Sequence, residues 1–164
     1  MRLLHRALRL LSDYLMLPFF GLLGGTRDTV LGGRLCVLRT VGRKSGQRRE
    51  IPLNYVPTSS GVALLAGFGR STGWVHNLRA QPHTEVLVGA RAYRAMAHEI
   101  GDRPQAIRAT RGVLKNAGAM GFFYGWNPRT VPDARIGKVV DETCCFHLVF
   151  DELPPWTQRT TPVA

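Results

Sequence analysis

The sequence predicts an α+β domain whose antiparallel strands meander into a small barrel. Three observations lead there. Ile51, Leu53 and Tyr55 alternate with other residues after a glycine-bounded turn, the period of a half-buried strand. Val62 to Ala66 is apolar throughout, as a strand buried on both faces would be. Helical spacing is confined to the N-terminus, to Trp74 through Ala80 and to a stretch after Asp102. With 164 residues, 45% of them hydrophobic, the chain suits one domain with a packed core, and no repeat or low-complexity tract divides it.

Met1 to Leu17 carries the sharpest helical pattern. At about 100° per residue, Leu3, Leu4, Ala7, Leu8, Leu10, Leu11, Tyr14, Leu15 and Leu17 share half of the wheel, with Arg2, His5, Arg6, Arg9, Ser12 and Asp13 opposite. Arg9 and Asp13 make the run too polar to span a membrane, and no small-residue cleavage site ends it as in a signal peptide. Pro18 to Gly25 extends the apolar surface through Phe19 and Phe20. Two placements of this amphipathic segment, residues 1–25, fit the pattern best, residues 1–20 on an anionic membrane surface or the helix packed on the barrel or a partner subunit, with an Arg-rich transit peptide as a remoter third reading.

Gly32-Gly33 opens the first strand, Leu35 to Thr40; a cationic turn leads to the second, Glu50 to Val56; Pro57 to Gly61 turns the chain into the third. Gly67 to Gly73 is a loop with three glycines, where backbone can approach a flat ring closely. Trp74 to Ala80 is a short helix with Trp74, Asn77 and Leu78 on one face and His76 off it, ended by Pro82. Glu85 to Gly89 and Arg91 to His98 form a strand pair. Asp102 and Pro104 start a helix that caps the barrel through Ile107, Thr110, Val113, Leu114 and Ala117. Gly118 and Gly121 release it into the aromatic stretch Phe122 to Pro128, which either lines a substrate pocket or plugs the core; its Tyr124 carries a phenol and is the candidate proton donor. Thr143 to Phe150 is the last strand, and the tail, with three prolines, reads as loose. These boundaries divide the chain into residues 1–25, a barrel domain of residues 26–152 and a tail of residues 153–164.

The turn between the first two strands, Gly42-Arg43-Lys44-Ser45-Gly46, is where chemistry concentrates. Glycines able to adopt positive φ free backbone N–H groups to converge, and Arg43, Lys44 and Ser45 add side-chain donors, a combination that suits a phosphate. The same residues also suit an ordinary solvated hairpin. Neither of the common nucleotide-phosphate fingerprints, G-x-x-x-x-G-K-[ST] and G-x-G-x-x-G, is present in the turn.

Thr40-Val41-Gly42-Arg43-Lys44-Ser45-Gly46, then Arg49 and Pro52-Leu53, and later Gly73-Trp74-Val75-His76-Asn77-Leu78-Arg79-Ala80-Gln81-Pro82 resemble the deazaflavin-dependent nitroreductase family in order and spacing, over about Leu35 to Ile100. The resemblance implies a split β-barrel of the FMN-binding, pyridoxamine-phosphate-oxidase-like kind that binds coenzyme F-420, a hydride carrier whose tail holds a phosphodiester and several glutamates. Carried onto this sequence it implies cofactor contacts from Arg39, Arg43, Lys44, Ser45, Gly46, Arg49, Pro52, Gly67, Trp74, Asn77 and Leu78. Gly73 stands where the family usually has Pro, which loosens the start of the helix.

The charge is uneven: 22 basic residues against 11 acidic give +11, and seven of those net charges fall in the first fifty positions. Nucleic acid, anionic lipid and a polyanionic cofactor all answer such charge, and the absence of a helix-turn-helix, zinc-finger or RRM signature ranks nucleic acid last. Cys36, Cys144 and Cys145 are odd in number and sit in apparent strands, which argues against structural disulfides and for a cytoplasmic protein, with peripheral attachment at the membrane's inner face as the alternative. No metal-ligand spacing and no Ser-His-Asp arrangement is present. Reactivity borrowed from a cofactor fits that pattern. The expected function is an F-420-dependent reductase passing hydride to a quinone-like, nitroaromatic or unsaturated cyclic acceptor. The alternatives are an FMN enzyme of the same fold or a non-catalytic cofactor, haem or lipid carrier, and a homodimer is a further expectation.

Overall fold

The computed structural model describes residues 33–122 and 124–156. The expected N-terminal helix and membrane segment, Phe123 and the tail beyond Trp156 lie outside the described residues. Among the described residues six strands form the sheet: β1 (Leu35–Val41), β2 (Arg48–Pro57), β3 (Gly61–Leu65), β4 (His83–Val88), β5 (Arg91–Glu99) and β6 (Cys145–Phe150). They pair antiparallel in the order β1-β2-β3-β6-β5-β4, and β4 returns to β1, so the barrel closes on itself and removes its edges.

The strands alternate between an inner and an outer row. Cys36 and Leu38 of β1, Val62 and Leu64 of β3, Val86 of β4 and Phe146 and Leu148 of β6 point inward, and none is more than 2% exposed. Each such aliphatic or aromatic side chain contributes about 1.5–3 kcal/mol through burial. The first helix, α1 (Gly73–Ala80), belongs to the same core: Trp74, Val75 and Leu78 are buried in it, and the Trp74 ring meets Phe146 edge-on with centroids 5.6 Å apart.

A second helix, α2 (Arg103–Asn116), lies on the outer side of the sheet. Its apolar stripe, with Val113 and Leu114, packs on Leu65 and Cys145, whose neighbours Leu64 and Phe146 face the other way into the barrel. Asp102 caps it by accepting the Gln105 N–H at 2.8 Å, and Pro104 sits in the first turn, as expected from sequence. A 3₁₀ turn, Gly118–Phe122, and a third helix, α3 (Asp133–Glu142), follow.

Helix α3 has no counterpart among the elements read from sequence. Only Ile136, Gly137 and Val139 of its ten residues are buried, too short a stripe to stand out, and it runs beside α2 with Arg103 paired to Asp141 and Arg111 to Asp133. Strand β2 starts two residues earlier than expected, because Arg48 and Arg49 pair with Val41 and Thr40. The start of the tail is also fixed rather than loose. Pro154 is buried, and Trp156 packs on Tyr93 and Phe150 while its Nε1 donates to the Thr58 carbonyl at 2.9 Å. Phe122 is 54% exposed, so it does not plug the core.

Candidate functional site

The cationic turn and α1, 34 residues apart at Arg43 and Asn77, meet at one corner of the barrel. Thr40 ends the inner row of β1, and there the Asn77 Nδ2 donates to Thr40 Oγ1 at 3.1 Å while Asn77 Oδ1 accepts the Arg43 N–H at 3.2 Å. Arg49, directly across from Thr40 on β2, takes the same inner row at its solvent end. Gly46 adopts the left-handed φ of +66° that the turn requires, whereas Gly42 does not. A Cβ at Gly42 would lie 2.7 Å from Ser45 Oγ, which accepts the Gln47 N–H at 3.4 Å, so a side chain there would displace only the serine hydroxyl.

The turn does not present a nest of free amides. Gly42 N–H donates to Gln47, Ser45 and Gly46 N–H both to Gly42, and Arg43 N–H to Asn77. What it offers to solvent is side chains. Arg43 and Lys44 are exposed and make no ion pair among the described residues, and Arg49 reaches only Gln47 Oε1, at 3.3 Å. Unpaired cations with Ser45 beside them form a donor set matched to phosphate and carboxylate oxygens.

The structure divides the residues expected at a cofactor into four groups. Arg43, Lys44, Ser45, Gly46, Arg49 and Asn77 share the corner just described. Arg39 and Pro52 occupy the outer row instead, opposite Glu50 and Val37. The Arg39 guanidinium pairs with Glu50 at 2.8 Å and with Glu85, and Arg48 lies 3.3 Å from Glu85. Alternation along β2 therefore selects Arg49, not Arg48, for the side of the turn that Asn77 faces. Trp74 and Leu78 are 6% and 1% exposed and are taken up by the core. Gly67 and Tyr124 meet each other, the phenol donating to the Gly67 carbonyl at 3.4 Å. The residues that sequence reasoning missed are Thr40, which continues the buried row of Cys36 and Leu38, and Glu50 and Glu85, which neutralise the neighbouring arginines.

A family model described as F420H(2)-dependent quinone reductase matches residues 21–122, a span that contains the turn, α1 and both halves of the corner. The chain belongs to that family. The F420H(2)-dependent quinone reductases Rv1261c and MT1299 of two Mycobacterium tuberculosis strains are each 34% identical to it over 67 residues, which is 39% of this chain and 45% of theirs. The matching segment thus spans about half the length of these curated relatives. Among solved structures, a conserved hypothetical protein of Mycobacterium tuberculosis, Rv2991, aligns at a TM-score of 0.55 and 15% identity over 76% of this chain and 78% of its own. A protein described as a candidate pyridoxamine 5′-phosphate oxidase from Listeria innocua aligns at 0.51 and 12% over 73% and 86%. These likenesses give the fold, a split barrel of the pyridoxamine-phosphate-oxidase kind.

In this quinone reductase family member the three cysteines are all buried. Burial pushes the Cys36 thiol well above its ordinary range, that of Cys144 up to about 11 and that of Cys145 upward, so all three remain protonated thiols. Burial also raises the Tyr124 phenol, with Glu142 adding to the effect, and the ring stacks on Trp126 within the outer cluster beneath α2. Among the described residues no helix is long and apolar enough to cross a membrane. Two clefts, of about 430 and 490 Å³, are lined by other residues: the first by Arg70, Glu99, Arg103 and Cys144, the second by Glu85, Tyr93, Arg94 and Glu152.

Proposed function

We propose that the protein is a coenzyme F-420-dependent reductase that passes hydride to a quinone-like acceptor. The observation that carries the reading is the corner itself, in a chain of this family: three cations without acidic partners among the described residues, Arg43, Lys44 and Arg49, tied through Asn77 to α1. That donor set fits a tail of phosphodiester and glutamates better than one terminal phosphate, because it holds more positive charge than a single phosphate neutralises. When bound, the deazaflavin ring supplies the hydride. Arg43, Lys44 and Ser45 hold the phosphodiester, and Arg49 meets tail carboxylates. The glycines of residues 67–73 let backbone approach the ring, and the buried side of α1 keeps that end of the barrel closed to water. The protein's own part is binding, orientation and charge, which suits a chain whose thiols are inert. Nitroaromatic and unsaturated cyclic acceptors are further candidates on the same chemistry.

The test is direct. Purified protein is titrated with oxidised coenzyme F-420 while the cofactor's fluorescence is followed, and the reduced cofactor is then offered with menadione and with a nitroaromatic. Binding followed by menadione-dependent oxidation is the expected result. Tighter binding of FMN than of the long-tailed deazaflavin would replace the cofactor, and binding without turnover on any acceptor would make the protein a carrier.

A further inference from the structure

Thr40 and Asn77 are 4% and 8% exposed, two of the few polar side chains buried among the described residues. Thr40 continues the inner row of Cys36 and Leu38 at the point where aliphatic residues would bury equally well. Burying polar groups costs stability unless they are bonded, and here both are: to each other, and through Asn77 Oδ1 to the first backbone N–H of the turn after Gly42. Apolar packing is non-directional, whereas a hydrogen bond fixes both distance and angle. An aliphatic pair would fill this space without setting the direction in which Arg43 and Lys44 leave the barrel.

We propose that Thr40 and Asn77 are positioning residues that lock the cationic turn to α1, so that one ligand engages the turn with its tail and the α1 side of the site with its ring. Asn77 is placed to act through Arg43, whose backbone N–H its side-chain oxygen accepts. The inference rests on the cofactor reading above. Linking two contacts in one ligand raises affinity only where the protein holds both sites at the spacing the ligand can span, so loosening the lock weakens the long ligand and spares the short one.

The experiment compares coenzyme F-420 with the deazaflavin ring compound lacking phosphodiester and glutamates, each titrated by fluorescence. Thr40→Val keeps the side-chain shape and removes the acceptor for Asn77 Nδ2. It is expected to weaken coenzyme binding about tenfold, one charged hydrogen bond's worth of misplacement, while changing ring-compound binding less than twofold. Thr40→Ser should restore the coenzyme affinity. Arg43→Ala should cost less in the Thr40→Val background than in the wild type, because the two changes disturb one device. Binding of the ring compound doubles as the folding control, and if the valine variant fails to fold, Thr40→Ala removes the same acceptor with the same expected split. Equal losses for both ligands, or no loss for either, overturn the positioning role while leaving the cofactor reading in place. Wild-type protein that does not bind the coenzyme overturns both.

Discussion

The two rows of the β1–β2 hairpin carry the same kind of residue and treat it in opposite ways. On the outer row, Arg39 and Arg48 are drawn into a four-charge group with Glu50 and Glu85. On the inner row and in the turn, Arg49, Arg43 and Lys44 have no carboxylate near them among the described residues. Apart from the partly buried Arg39, these side chains are exposed to solvent, where an ion pair is worth only about 0–1 kcal/mol to stability. The difference therefore matters less for folding than for what the surface presents: one side of the hairpin is neutralised, and the other keeps its charge for an anion.

The largest effect that separates the two sides is expected from removing the unpaired cations. Arg43→Ala or Lys44→Ala should each weaken coenzyme F-420 by about tenfold or more, whereas Arg48→Ala, whose charge already meets Glu85, should change it less than twofold. Equal losses in the three variants would erase the contrast between the rows. A smaller gain sharpens it. Glu85→Gln releases Arg39 and Arg48 from their shared partner and should raise affinity by roughly two- to fivefold, more for cofactor with more tail glutamates. Titration of forms with different glutamate number checks this, and a loss of affinity would show that Glu85 supports the site rather than screening it.

Acidity provides a third way to divide the molecule. His147, on the far side of the sheet, takes hydrogen bonds with Thr58 and Ser60 at 2.9 and 3.3 Å and lies directly across from His98. Burial, with a smaller contribution from His98, lowers its pKa below the usual 6.5. The folded state thus resists a proton that the unfolded chain accepts, so this contribution to stability is full above pH about 6.5 and declines as pH falls toward the lowered value. Thermal melts between pH 7.5 and 5.5 should show that decline, reduced in His147→Gln. The smallest effect is expected at Tyr124. Its phenol is raised away from neutral pH and already engages the Gly67 carbonyl, so Tyr124→Phe should alter turnover with menadione by less than about tenfold. A fall of ~10²-fold at unchanged cofactor affinity would mark it as the proton donor.

Much of the barrel is legible in the sequence because its punctuation is local. Gly46 in the turn, Pro82 after α1, the Asp102 and Pro104 start of α2 and the unbroken apolar run of β3 each act within a few residues of where they stand. Helix α3 was not legible for the converse reason: three buried residues in ten give it little pattern, and ion pairs from α2 hold its two ends. The fixed start of the tail depends likewise on distant partners, Thr58, Tyr93 and Phe150.

For the candidate site, the sequence by itself determined the ingredients, a cationic glycine-bounded turn and a helix bearing Asn77, and the family to which they belong. Tertiary structure decided which ingredients work together. Side-chain alternation fixes only that Arg48 and Arg49 face opposite ways; the cross-strand register puts Arg49 beside Thr40 and leaves Arg39 facing Glu50. No local signal says that Glu85, from another strand, will neutralise Arg39, or that Asn77 will reach back 37 residues to Thr40. Those pairings are set by barrel closure, which brings β4 against β1 and seats α1 in the end of the core, and a chain read in one dimension carries no record of which neighbours closure will supply.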